Sequence, residues 1–275
     1  MTTPTPVPAV ARPSGVALLD ALEAGEVRAA EPPPVPASAQ NAWRVNAWVK
    51  EAILELFRSS ASVEMGRERE LWPFVDKAPF TVRRFEPFSG VRLVPGGSSV
   101  RRGAFLGRGC VLMPPCYVNV GAYVGADSLI DSHALIGSCA QIGARVHVSA
   151  GVQVGGVLEP AGARPVIVED GALLGGQCGL YEGVLVGSRA VLGAGVILTG
   201  TSRVYDLVAR RELTGTREQP LEIPPDAVVV PGTRPATGDW ARERGLSVGC
   251  ALIVKYRDAA TDARTALESA LREPR

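Results

Sequence analysis

LGRGCVLMPPCYVNVGAYVGADSLIDSHALIGSCAQIGARVHVSAGVQV occupies positions 106–154 and decides the fold. Stepping by six from Leu106 meets Leu112, Val118, Val124, Ile130, Ile136, Ile142, Val148 and Val154 without a break. The residue after each aliphatic is small or polar, Met113 excepted. Four positions after the aliphatics from Leu106 to Val148 stand Cys110, Cys116, Ala122, Ser128, Ala134, Ala140, Val146 and Val152. The register slips across Val157 to Val166 and resumes at Val168, Leu174, Leu180, Val186, Leu192, Leu198 and Val204. A helix repeats its apolar face every 3.6 residues and a strand every two, so neither explains a period of six.

A triangular coil does. Each hexad supplies one short strand and one corner, and three hexads close a turn. The aliphatic and the small residue four places later both point inward. No hexad can bury its aliphatic alone, so stability comes from stacked turns. Glycine after the aliphatic is expected to supply the backbone angles of a tight corner. The break at 158–165 is expected to leave the coil as a loop, and about six coils are expected in all.

Composition agrees. Aromatics are 5% of the 275 residues against 46% hydrophobic, so the core is built from aliphatics. The 31 glycines and 22 prolines fit many turns. The formal net charge of +1 suggests no nucleic-acid surface. No run of 18 apolar residues predicts a membrane span, and the Thr/Pro/Ala-rich start lacks the form of a signal peptide, so a cytoplasmic protein is expected. The five cysteines include no CxxC pair. Cys110, Cys116 and Cys178 fall at the small inward position. Cys139 does not, and a nucleophilic role there would need a neighbouring base. His133 and His147 are the only histidines, too few for a three-histidine zinc site, and no metal is expected.

The flanks read differently. Residues 14–30 suit a short helix, 31–38 a Pro-rich connector, and 41–59 a helix with Trp43, Val45, Trp48, Ile53, Leu54 and Leu56 on one face. The stretch 71–97 reads as irregular. Past the hexads come a loop over 205–222, a partial coil at Ile223 and Val229, a strand over 250–254 and a helix near 262–271. The expected division is an N-terminal α-helical domain over 1–98, a β-helix over 99–236 and an extension over 237–275.

The strings MPPCYVNVGAYV, GSCAQIG and GGVLEP, with VRLVP before them and VVVPGTRP and CALIVK after, resemble the tetrahydrodipicolinate N-succinyltransferase family. The resemblance spans nearly the whole chain. It implies a mainly β fold, a left-handed parallel β-helix of hexapeptide repeats, assembled as a homotrimer with sites between subunits. It implies transfer of a succinyl group from succinyl-CoA to the amino group of opened tetrahydrodipicolinate, with no tightly bound cofactor. It places Arg92 at the substrate carboxylates and Asp131 as the site aspartate, which binds substrate and handles its proton. Some family members carry a second acid where this chain has Gly179; Glu182 is the nearest acidic candidate for a catalytic role. His133 stands where a tryptophan is familiar. A sister acyltransferase using acetyl-CoA or another amine, and a silent trimeric scaffold, are the alternatives.

Overall fold

The computed structural model describes residues 12–33, 42–66 and 74–258. Its centre is a three-faced coil of two-residue strands, paired in parallel with the strands one turn above and below. The first face stacks Phe105–Leu106, Tyr123–Val124, Gln141–Ile142, Ile167–Val168, Leu185–Val186 and Glu222–Ile223. The second runs from Arg92–Leu93 through Val111–Leu112, Leu129–Ile130, His147–Val148, Leu173–Leu174 and Val191–Leu192 into the long strand Ala227–Pro235. The third stacks Ser99–Val100, Tyr117–Val118, Leu135–Ile136, Gln153–Val154, Gly179–Leu180 and Ile197–Leu198. Six rungs on the first and third faces match the expected six coils. This is the left-handed parallel β-helix expected of hexapeptide repeats.

In every rung the second strand residue points inward. Leu112, Val118, Val124, Ile130, Ile136, Ile142 and Val148 have no solvent exposure, and Cys110, Ala134, Ala140, Val146 and Val152 pack between them. Burial of a branched aliphatic contributes roughly 1.5–3 kcal/mol, and the repetition of that gain holds the coil together. The segment 155–166 carries no strand and leaves the coil as a loop.

The corners depart from the sequence expectation. The glycines directly after the inward aliphatics do not adopt the left-handed conformation. Positive φ falls two places later, at Gly103, Gly109, Gly121, Asp127, His133, Cys139, Arg145, Gly151, Gly171, Gln177, Arg189, Gly195 and Asp226. The glycine after the aliphatic is required by contact instead. A Cβ on Gly125 would lie 2.5 Å from the Gly143 carbonyl carbon, and one on Gly137 would lie 2.2 Å from the Gly156 nitrogen. At these two positions the neighbouring rung, about 4.8 Å away, leaves no room for a side chain.

The coil begins before Leu106, at Leu93 and Val100. Val204 is buried but is not a rung of the first face. It lies in Val204–Asp206, which pairs antiparallel with Arg211–Leu213 and parallel with Ser247–Tyr256. The predicted strand over 250–254 is part of Ser247–Tyr256, which pairs antiparallel with Ala227–Pro235. A short helix α3, Asp239–Glu243, joins the two. The helix expected near 262–271 lies outside the described residues.

Two helices precede the coil, α1 over Gly15–Glu23 and α2 over Ala47–Ser59. The second is shorter than predicted. Arg44–Val45 instead pairs antiparallel with Ala30–Glu31, and Asn46 Nδ2 donates to the Arg28 carbonyl, so Trp43 and Val45 lie outside the helix. The stretch read as irregular contains a strand, Val75–Lys77, paired with Ser62–Glu64. The helical part covers the first face and the corner that leads into it. Arg28 stacks 3.6 Å from the Tyr123 ring centroid and donates through Nε to Gln141 Oε1 at 2.9 Å. Ile53, Leu18 and Leu19 pack with Val120 and Cys139.

Candidate functional site at the corner between the second and third faces

With the first face covered by helices, the corner after the second face carries the sequence-predicted aspartate. The residues that follow its inward aliphatics form a file up the molecule: Met113, Asp131, Ser149, Gly175 and Gly193. The register Leu112, Ile130, Val148, Leu174, Leu192 places them one above another. Asp131 and Ser149 keep side chains in a slot that glycine fills above them, where a Cβ on Gly175 would strike the Ala194 nitrogen at 2.6 Å. Asp131 Oδ1 accepts the Ser132 N–H at 2.7 Å, which fixes the carboxylate against its own turn.

Arg92 stands on the second face in the outward file Arg92, Val111, Leu129, His147, Leu173, Val191. It is exposed and lies two rungs below the Asp131 rung, about 10 Å along the coil axis. Asp131 and Arg92 therefore border one strip of surface without touching.

Glu182 lies elsewhere. It follows Leu180 on the third face, at the corner leading to the first, and is two rungs above Asp131. Its Oε2 accepts the Gly200 N–H at 3.2 Å, and its φ is 55°. One copy of the chain does not bring Glu182 and Asp131 together. His133 occupies a left-handed corner position, with φ 61°. Its N–H donates to Pro115 and its carbonyl accepts from Gln153 Nε2, while the imidazole is exposed.

Position 179 shows what sequence reading missed. A Cβ on Gly179 would lie 2.7 Å from Tyr181 Cε2 and 3.0 Å from the Tyr181 hydroxyl, and one on Gly155 would lie 2.9 Å from Tyr181 Cδ1. The tyrosine ring thus rests in a niche made by two glycines. The signal was present as a tyrosine two residues after a glycine on the same side of a strand.

Above Ser149 the corner is bare. Gly175-Gly176 and Gly193-Ala194-Gly195 follow one another up to a cavity of about 430 Å³. Thr201, Ser202, Arg203, Gly232, Arg234 and Cys250 line it. The Nε of Arg234 is buried without a hydrogen-bond partner among the described residues. A corner lined by small residues that leads to Arg234, and to Arg203 in its ion pair with Glu212, suits a long thin molecule with an anionic end.

Cys110 and Cys139 are not placed to act as nucleophiles. Burial pushes the Cys110 thiol up to about 11 and the Cys139 thiol up to about 12, where neither supplies thiolate. Cys139 sits under the helices beside Lys50, whose own pKa is lowered by burial. Lys50 Nζ donates to the Ala163 carbonyl at 2.5 Å and so ties α2 to the loop that leaves the coil.

Two family models match the sequence: the N-terminal domain of tetrahydrodipicolinate N-succinyltransferase over residues 9–58, and the hexapeptide repeat of succinyl-transferase over 165–200. The chain is 42% identical over 261 residues to the 2,3,4,5-tetrahydropyridine-2,6-dicarboxylate N-succinyltransferase of Gluconobacter oxydans, covering 93% of this chain and 88% of the relative. It is 40% identical over 262 residues to the enzyme of that name from Afipia carboxidovorans, with the same coverage. The chain belongs to the tetrahydrodipicolinate N-succinyltransferase family. A solved Campylobacter jejuni structure, titled a 2,3,4,5-tetrahydropyridine-2-carboxylate N-succinyltransferase, shares the fold at a TM-score of 0.50. It is 17% identical, covering 86% of this chain and 61% of that one. Members of the tetrahydrodipicolinate N-succinyltransferase family are CoA-dependent acyltransferases.

Proposed function

We propose that the protein transfers the succinyl group of succinyl-CoA to the amino group of opened tetrahydrodipicolinate, a step toward diaminopimelate and lysine. The observation that carries this is the length of the match, which runs through the helical domain and the coil together at about 40% identity. The acyl-CoA lies along the corner from Ser149 past Gly175 and Gly193, with its phosphates at Arg203 and Arg234. This route sets the thioester beside Asp131. Asp131 then orients the neutral amine for attack and steers its proton, and positioning supplies much of the rate. Arg92 pairs with a carboxylate of the acceptor, because a guanidinium fork matches that group.

Glu182 enters the reaction only if a second copy of the chain carries it to the Asp131 corner, as a homotrimer with shared sites would. The enzyme acts in the cytoplasm and holds no tightly bound cofactor. The departures at Gly179 and His133 leave a second reading, in which acetyl-CoA or another amine acceptor is used. Release of free thiol from succinyl-CoA with tetrahydrodipicolinate, compared with acetyl-CoA, tests both readings. Faster release from acetyl-CoA favours the second.

A further inference from the structure

Asp131 and Ser149 are consecutive in the corner file, and the Asp131 N–H donates to the Val148 carbonyl at 2.9 Å. His147 projects from the same strand two residues before the serine, so both side chains leave on one side. His147 Nε2 lies 3.5 Å from Ser149 Oγ. That distance is at the long end, as hydrogen bonds of catalytic groups often are before substrate arrives. The ladder neighbours of His147 are the uncharged Leu129 and Leu173. Among the described residues the charges near it include Asp131 one rung below and Arg145 two residues before, which pairs with Asp170 at 3.5 Å. Imidazole is the side chain suited to exchanging protons near neutral pH. Gly175, which follows Ser149 in the file, adds no side chain above it.

We propose that Ser149 and His147 form a proton relay for the amine that reacts at the Asp131 corner. The inference rests on the acyl-transfer reading and adds two residues to it. With the imidazole proton on Nδ1, Nε2 accepts the Ser149 hydroxyl. The amine lone pair forms a C–N bond to the thioester carbon, and the carbonyl electron pair moves onto oxygen. The nitrogen's surplus proton passes to Ser149 Oγ while the serine's own proton passes to Nε2. The C=O bond then re-forms, the C–S bond breaks, and its electron pair stays on sulfur. The reverse relay returns the proton to the thiolate, leaving amide and free thiol. Ser149 is the catalytic residue of the pair, since it faces the substrate. His147 acts through it and is a positioning residue that stores the proton.

The test compares the wild-type chain with Ser149→Ala, His147→Gln and the double variant, using thiol release from succinyl-CoA with tetrahydrodipicolinate between about pH 5 and about pH 9. Each single variant should lose about 100-fold in kcat, and the double variant no more than the worse single one. The Michaelis constants should stay within about threefold of wild type. The acid limb of the wild-type pH profile should vanish in His147→Gln. Either single variant within about threefold of wild-type kcat, or losses that multiply in the double, overturns the relay. Melting temperature confirms that the variants fold. A shift of the His147 imidazole titration in Ser149→Ala, followed by NMR, reads the contact without turnover, and an unchanged titration overturns it. Wild-type protein inactive with this acceptor contradicts the underlying reading; active wild type with equally active variants contradicts the relay alone.

Discussion

The ring of Tyr181 lies across Gly179, with Cε2 at 2.7 Å and the hydroxyl at 3.0 Å from where a Cβ would stand. The two residues are therefore coupled: the tyrosine can take this rotamer only while position 179 has no side chain. Gly179→Ala should destabilise the protein by about 1–3 kcal/mol, the usual cost of overpacking. The same substitution in a Tyr181→Ala background should cost clearly less. Urea unfolding of the two singles and the double measures the coupling. Additive effects would mean the ring is not held there.

Gly137, directly after the inward Ile136, is required by the rung above it. Gly137→Ala puts a methyl 2.2 Å from the Gly156 backbone nitrogen, where no flexible side chain can yield. Gly162, in the loop outside the coil, has nothing within 4 Å of its Cβ position. Gly137→Ala is expected to lower stability by about 3 kcal/mol or more, and Gly162→Ala by less than about 0.5 kcal/mol. Thermal melting of the pair checks the difference.

Asp131→Asn should lower turnover about 100-fold while the fold survives, because the amide is nearly isosteric. Arg92→Ala should mainly raise the Michaelis constant for the dicarboxylate acceptor and leave that for succinyl-CoA nearly unchanged. Glu182→Gln is the comparison. Loss of activity in Glu182→Gln with Asp131→Asn close to wild type would transfer the proton-handling role to Glu182.

Lys50 supplies a pH test. Burial lowers its pKa, with Cys139 opposing weakly, so in the window below the free-lysine range the unfolded chain holds a proton that the folded one tends to lose. Stability from this group therefore rises as pH rises through that window. The melting temperature of wild type relative to Lys50→Met should increase between about pH 8 and about pH 10. A flat difference would mean that the contact with Ala163 and the surroundings of Lys50 fully compensate the charge.

The coil was legible because its aliphatics repeat in sequence at the spacing at which they stack in space. Ile130, Ile136 and Ile142 belong to three faces, yet each meets the residue eighteen or more places away that the period names. Val100 continues the period one step before Leu106, whereas Leu93 was hidden because it lies seven before Val100, across Gly96 and Gly97, which breaks the count. Val204 kept the period by chance of spacing while its strand turned away to pair with Ser247–Tyr256. The start of α2 was misplaced because Trp43 and Val45 have helical spacing but are claimed by the pairing with Ala30–Glu31. Asp131 stood out as a charge in a glycine slot. Ser149 and His147 did not, since serine is ordinary in that slot and the facing of the two emerges only from the stacked register.

Mass analysis of the reaction product tests the central claim most directly. Purified protein, succinyl-CoA and tetrahydrodipicolinate should yield free CoA and a ring-opened product that carries one succinyl group on its amino nitrogen, in equal amounts. Thiol release without that product, or an acylated product only when acetyl-CoA replaces succinyl-CoA, would contradict the account.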